Sequence, residues 1–344
     1  MNKLQTSFTI AALLLTASSP AFSQEQVWKG KEMAIVDLSA NFIREDNEYE
    51  AELGDQALMG TVVEVLDRKS YWVRIKTPEP YVGWVNEMGL AMKDGQQVEA
   101  WLGSPRFICT AFGSHVYSEP SESSVPVSDL VLGDILLKTL KDNGKTLKVK
   151  GFYAVELPSG KKGFVPASDL KDLDGWAEER RALEKDDETR FRSDIISTAK
   201  RFVGVPYMWG GTSTKNTDCS GLTRTVYLAN GVLLPRNCSQ QVKVGEDVPI
   251  RNEKGEIDFS RLIPGDLIFW GRAQEGDKPE KATHVGIYLG DGKFIHSSQI
   301  VRINDSSSYT RVPIRARRIV GHVDEKGSGI VSMHRSPYYF NQTR

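Results

Sequence analysis

The chain has 344 residues, 40% hydrophobic and 26% charged, with a formal net charge of −1. That length suggests two or three domains, and the apolar share is enough for genuine cores. So neutral a balance gives no reason to expect a nucleic-acid partner or a polybasic membrane contact, and it says little about substrate.

The chain opens with MNKL, a positive start, then the apolar FTIAALLLTA, then the small residues of SSPAFSQ. Residues 1–23 read as a secretory signal peptide cleaved near Ser23, with an uncleaved anchor as the plainer alternative. The apolar run is short for a bilayer-spanning helix. No cysteine lies near the cleavage site, so a lipid anchor is not expected. The mature protein is therefore expected to be periplasmic or secreted, with no membrane segment.

Residues 24–95 carry an all-β pattern. TVVEVLD and YWVRIKT alternate apolar and polar residues as half-buried strands do, with proline, glycine and asparagine between them. Residues 96–173 repeat that pattern, and VELPSGKKGFVPASDL echoes VRIKTPEPYVGWVNEMGL. The period is longer than a solenoid unit and predicts two tandem small β domains. Residues 174–192 are a charge run of helical composition, read most simply as a charged linker with a solvated face.

Residues 193–322 form the third predicted domain. A helix with the stripe Ile195, Ile196, Ala199 and Phe202 leads into the glycine-rich PYMWGG and then a helix from Cys219. The β-like runs DLIFW, THVGIYLG, KFIHSS and RINDSS follow, which is an α+β plan. Residues 323–344 are a polar, mixed tail with no assignable role.

Cys109, Cys219 and Cys238 are too few, and odd in number, for a disulfide framework. Asp218 is a good helix N-cap, and Asn230-Gly231 ends the helix it starts. Cys219 then sits where free amides and the helix dipole favour thiolate and could hold an oxyanion. Otherwise it is a small packed residue. If Cys219 is a nucleophile, only Cys109 with Cys238 remains as a bridge, and nothing favours that over two inert thiols.

His284 opens THVGIYLG and His296 closes KFIHSS, with Gly290-Asp291-Gly292 as the turn between. A two-residue loop puts the two imidazoles on opposite faces. A three-residue loop with Gly292 as a left-handed bulge puts them on one face, nearly opposite each other, and this form is predicted. His284 can then take the Cys219 proton and His296 can orient His284, in the manner of a cysteine peptidase. A zinc site is the competing reading. His322 and His334 read as surface residues.

DCSG at a helix start, PYMWGG before it, PGDLIFW, and THVGIYLGDGKFIHSS together resemble the NlpC-type cell-wall cysteine peptidases. The resemblance covers roughly Ser193 to His322. It implies a papain-like α+β core, a Cys219–His284–His296 site, and no metal or other cofactor. It also implies that Tyr207 binds or polarises the scissile carbonyl beside the Ser220 end of the helix. The short strands of the two leading segments look like bacterial SH3-like barrels. That whole layout resembles γ-D-glutamyl-L-diamino acid endopeptidases, whose partners are L-Ala-γ-D-Glu-diamino acid stem peptides of peptidoglycan, cut at the bond before Lys or diaminopimelate.

In that group the first SH3-like domain walls the cleft against peptides still attached to glycan. Glu52 and Tyr81 are the matching positions, with Asp55 a second candidate to hold a free amine. Arg236 could pair with the D-Glu carboxylate or support its loop. Asn237 departs from the acid usual at that place and brings no charge. A wall-binding protein without activity, an N-acetylmuramoyl-L-alanine amidase and an acyl or peptide transferase remain the alternatives.

Overall fold

The computed structural model describes Trp28, residues 30–306 and residues 309–341. The expected signal peptide and its cleavage site lie outside these residues. Among the described residues no helix is long and apolar enough to cross a membrane.

Seven strands build the first sheet: β1 (Glu32–Val36), β2 (Ala40–Arg44), β3 (Leu53–Leu58), β4 (Val62–Lys69), β5 (Trp72–Lys76), β6 (Val82–Asn86) and β7 (Leu90–Lys93). Their order across the sheet is β3-β2-β6-β5-β4-β1-β7. The alternation read in YWVRIKT and VGWVN places Val73, Ile75 and Val85 inside, around Ala34, Val36 and Val63. A helix, α1 (Gly95–Gly103), follows. It starts in a reciprocal cap between Asp94 and Gln97.

The second sheet holds β8 (Arg106–Cys109), β9 (Gly113–Tyr117), β10 (Pro126–Val131), β11 (Ile135–Lys138), β12 (Lys148–Val149), β13 (Phe152–Glu156), β14 (Lys162–Pro166) and β15 (Leu170–Asp172). The echo in the sequence has a structural counterpart. Hairpins β5–β6 and β13–β14 each run into a single 3-10 turn, Glu87–Gly89 and Ala167–Asp169. A short closing strand then pairs with the first strand of its own sheet, β7 with β1 and β15 with β8.

The charged run is not a solvated linker. It forms α2 (Leu173–Asp186) and the start of α3 (Glu188–Lys200). Leu173, Trp176, Ala177 and Leu183 are buried, and Arg180 is held by Asp194 at 2.7 Å and Glu179 at 2.9 Å. The apolar residues recur at helical spacing, so the charges occupy only the outer face. The polar tail is also incorporated. Met333, Tyr339 and Phe340 share one core with Trp28, Leu58, Val131, Trp176 and Leu228, joining all parts of the chain.

The third domain places α4 (Cys219–Leu228) against a six-stranded antiparallel sheet. β16 (Val232–Leu233) and α5 (Cys238–Gln241) follow α4. The sheet strands are β17 (Glu246–Asp247), β18 (Leu267–Arg272), β19 (Lys281–Gly290), β20 (Lys293–Ser298), β21 (Ile300–Asp305) and β22 (Pro313–Arg318), in the order β17-β22-β18-β19-β20-β21. A last strand, β23 (Val331–Ser332), pairs with β16. Leu222 and Val226 of α4 meet Val285, Ile287 and Ile295 of the sheet in the core. The start of α4 therefore faces the β19–β20 hairpin.

Candidate active site

Cys219 is the first residue of α4, and Asp218 is the cap. The Asp218 carboxylate accepts the Gly221 amide at 2.7 Å and the Gly210 amide at 3.1 Å. Gly211 lets the PYMWGG loop close on the helix, since a Cβ there would lie 2.9 Å from the Thr217 backbone. Cys219 is 9% exposed, so a small electrophile reaches it while bulk water is largely kept out.

The two imidazoles share one face, by a different route from the one expected. Asp291 and Gly292 form a two-residue turn, both with positive φ. The extra residue is a bulge between Tyr288 and Gly290, before the turn rather than in it. That bulge restores the parity that a bare two-residue turn would break. Ile287 pairs with Ile295, so His296 comes opposite Gly286, diagonal to His284. Gly286 has no side chain to block it, and a Cβ there would lie 3.2 Å from that of His296.

His284 Nε2 lies 2.7 Å from His296 Nδ1, with the rings nearly perpendicular. His296 Nε2 lies 3.0 Å from Asn304 Oδ1. With that oxygen accepting, His296 carries its proton on Nε2 and accepts at Nδ1. His284 must then donate from Nε2, which leaves its Nδ1 as the basic atom. The Cys219 thiol lies near enough to this ring for His284 to pull its pKa down. Trp270, Phe294 and Tyr309 pack around the two histidines at ring separations of 5.6, 5.1 and 5.4 Å. His296 is fully buried, and that burial holds it below its ordinary 6.5, with Asn304 opposing and Arg302 and Arg311 adding to the shift.

The thiol itself departs from the sequence expectation of a lowered pKa. A hydrogen bond with Cys238, and then burial, push it up, while His284 pulls it down. Tyr207 is pushed up to about 12 by burial first and then by the charges of Asp218 and Cys219. Its hydroxyl keeps its proton at neutral pH and is available as a donor.

Arg236 is 1% exposed. It donates to both Asp218 oxygens and to Ser220 Oγ at 3.0 Å, and it faces Asp55 at 2.8 Å. It supports the cap of the thiol helix, the second of the two roles considered for it, and is not open to a substrate carboxylate. Ser220 is buried in the same network, bonded to Asp218 at 3.1 Å. Asn237 caps the short α5, where its amide is taken by Gln240 at 3.0 Å.

The first sheet forms one side of the site. Asp55 is fully buried between Arg224 and Arg236, and Glu79 takes the other arm of Arg224 at 2.8 Å. Thr212 donates its amide to Gln56 at 2.8 Å, and a Cβ on Gly210 would lie 2.5 Å from the Leu53 carbonyl. Glu52 and Tyr81, the two positions expected to face the substrate, are not bonded to each other. Glu45 accepts the Tyr81 hydroxyl, and a Cβ on the intervening Gly54 would collide with both. Glu52 is exposed, and only its carbonyl takes part, holding the Glu45 amide at 2.9 Å. Burial, then Glu45, raises the Tyr81 phenol, which also feels Asp55 and Arg236.

Sequence reasoning missed Asn304, Glu45, the arginine–aspartate chain and Gln241. Gln241 Nε2 bridges the Ser220 and Pro235 carbonyls at 3.0 and 2.9 Å, tying α5 to the start of α4. A positional signal did exist for Asn304, since RINDSS was read as the neighbouring strand. None existed for Gln241. Cys109 lies in the core of the second sheet, apart from Cys238, and all three cysteines are free thiols. His322 is held by Glu325 and Glu246, and His334 stacks on Phe340. Among the described residues no group of three or more histidine, cysteine or acidic side chains is set to hold a metal ion.

Comparisons with known proteins match this geometry. The NlpC/P60 family profile covers residues 204–320, and that of the bacterial dipeptidyl-peptidase SH3 domain covers residues 43–90. A γ-D-glutamyl-L-lysine dipeptidyl-peptidase of Bacillus cereus is 32% identical over 73% of this chain and 68% of its own length. Dipeptidyl-peptidase 6 of Lysinibacillus sphaericus is 28% identical over 77% of this chain and 86% of its own. A crystal structure of an NlpC/P60 family protein from Bacillus cereus superposes with a TM-score of 0.65, covering 84% of this chain and 99% of that one at 24% identity, a likeness of fold. The two profiles in this order, and the length over which the first relative matches, show that the chain belongs to the NlpC/P60 family and is a cysteine peptidase with a bacterial SH3-type domain ahead of its peptidase domain.

Proposed function

We propose that the protein hydrolyses the γ-D-Glu–L-diamino acid bond of peptidoglycan stem peptides, where the diamino acid is Lys or diaminopimelate. It favours fragments with a free N-terminal L-Ala and serves wall turnover or recycling outside the cytoplasm. The observation that carries this is the Cys219–His284–His296–Asn304 line, beside a loop that the first sheet holds at Thr212. The printed activity of the Bacillus cereus relative supports the bond. The repeat of the closing hairpin, turn and strand supports a second SH3-like domain in residues 96–173.

In this reading His284 Nδ1 takes the thiol proton as Cys219 Sγ attacks the γ-amide carbonyl. The first amides of α4 and the Tyr207 hydroxyl receive the oxyanion, which grows in a dry, preorganised site. The protonated His284 then gives its proton to the leaving amine of the diamino acid. Its Nε2–H stays on neutral His296, so the imidazolium is stabilised without a carboxylate. Water, deprotonated by His284, hydrolyses the thioester. At the far end of the cleft, Glu45 with Tyr81 is the group that receives the L-Ala ammonium, and an acylated amine leaves that carboxylate unpaired.

The experiment incubates protein starting at residue 24 with L-Ala-γ-D-Glu-diamino acid peptide and, in parallel, with its muramyl-capped form, and reads products by mass. Release of L-Ala-D-Glu from the free peptide, absent in Cys219→Ala, is the expected result. Cleavage of the muramyl–L-Ala amide instead would make the protein an amidase. No cleavage of either peptide would overturn the assignment of this bond.

A further inference from the structure

Cys238 is a half-buried thiol that the reaction above does not use. It stands close enough to Cys219 for each thiol to shift the other's proton affinity. Side chains tie the two stretches of chain together on both sides of the cysteines. Arg236, two residues before Cys238, is bonded to Asp218, one residue before Cys219. Gln241, three residues after Cys238, is bonded to the carbonyl of Ser220, one residue after Cys219. Thr223 anchors that glutamine from the α4 side at 2.7 Å. The two cysteines are thus held abreast by two clamps. The Cys238 sulfur also donates to the Ala282 carbonyl at 3.4 Å, two residues before His284 on β19.

We propose that Cys219 and Cys238 form an oxidisable dithiol whose co-substrate is a hydroperoxide, with Cys238 as the resolving thiol. The Cys219 thiolate, formed as His284 takes its proton, attacks one peroxide oxygen. The O–O bond breaks, hydroxide or alkoxide leaves, and Cys219 becomes a sulfenic acid. Cys238, as thiolate, then attacks the Cys219 sulfur, the S–O bond breaks, and hydroxide leaves. Two thiols and hydrogen peroxide give one disulfide and two waters. The two sulfurs lose two electrons, and the peroxide gains them. A bonded pair needs the sulfurs to close to about 2.05 Å.

The consequence is protective. The disulfide silences the peptidase but is reopened by a thiol reductant. Without Cys238 the sulfenic acid goes on to sulfinic acid, which reductant does not reverse. This inference rests on the reactivity of Cys219 and not on which bond the enzyme cuts.

The test exposes wild-type protein, Cys238→Ser and Cys219→Ser to hydrogen peroxide and maps peptides by mass, so no peptide substrate is involved. Expected in the wild type is a loss of about 2 Da on a Cys219–Cys238 cross-linked pair, restored by dithiothreitol. Expected in Cys238→Ser is a gain of about 32 Da on Cys219 that dithiothreitol leaves in place. Cys219→Ser should leave Cys238 reduced under the same exposure. Equal sulfinic acid at Cys219 in the wild type and in Cys238→Ser would overturn the proposal. So would a cross-link that includes Cys109.

Discussion

Asp55 of the first sheet and Arg236 beside the Cys219 helix form a buried ion pair at 2.8 Å across the domain boundary. Arg236 in turn grips Asp218, and Arg224 continues the chain from Asp55 to Glu79. Five charges with alternating sign thus connect the cap of the thiol helix to the wall of the cleft. Such a network adds little net stability relative to apolar packing, but breaking it leaves bare charges in a dry interior.

Asp55→Ala is therefore expected to cost about 3–5 kcal/mol, because both guanidiniums lose their shared anion. Thermal unfolding should show the loss as a lower or split transition. The same variant should lower kcat/KM in the fraction that remains folded, since Arg236 then holds Asp218 less tightly. Unchanged unfolding and unchanged kinetics would mean that the first sheet is only a neighbour of the site.

Tyr207→Phe removes a hydroxyl that stays protonated well above neutral pH. If that hydroxyl meets the oxyanion, kcat should fall by about 10²-fold with little change in KM, as for the loss of one oxyanion donor. A rise in KM at constant kcat would instead make Tyr207 a ground-state contact.

Glu45 and Glu52 give opposite forecasts. Glu45→Gln removes the charge on the Tyr81 hydroxyl and should weaken kcat/KM for the free-amine peptide by about tenfold or more, while the poor rate on capped peptide hardly changes. Glu52→Gln alters an exposed side chain and should be neutral on both peptides. The comparison needs only the two variants and the two substrates.

Much of this site was readable because its parts are local. A cap residue before Cys219, a helix end at Asn230-Gly231, and two histidines on one hairpin are all short-range patterns, and the structure contains each of them. The hairpin bulge was misplaced because Gly290, Asp291 and Gly292 all tolerate positive φ, so sequence alone does not say which residue is extra. Glu45 went unnoticed for a different reason. It lies just beyond β2, and only the missing side chain of Gly54 lets its carboxylate reach Tyr81. The helix α2 was taken for a linker because charge dominates its composition. Its burial depends on Met333, Tyr339 and Phe340, more than a hundred residues away, which no window of sequence displays. The Asp55–Arg236 pair is illegible for the same cause.

His296 gives the site an acid limit with a definite sign. It is fully buried, and burial is the largest cause holding its pKa below the ordinary 6.5. The groups facing it are His284, Asn304, Tyr309 and the cationic Arg302 and Arg311, and no carboxylate is among the causes of its shift. Above about pH 6.5 the ring is neutral in both the folded and the unfolded chain, so it contributes no pH dependence there. As pH falls below that value the unfolded chain binds the proton first, and folded stability declines until the lower folded pKa is passed. The same proton would sit on Nδ1, the atom that accepts from His284, and so would turn the orienting ring away from its partner. His296→Gln keeps an acceptor for His284 and removes the titration. Its stability should therefore fall less steeply than wild type as pH drops below about 6.5, measured as the difference between the two unfolding curves so that carboxylates common to both cancel. A difference that stays flat there would mean that His296 has the same proton affinity folded and unfolded, and the neutral-acceptor role given to its Nδ1 would fall with it.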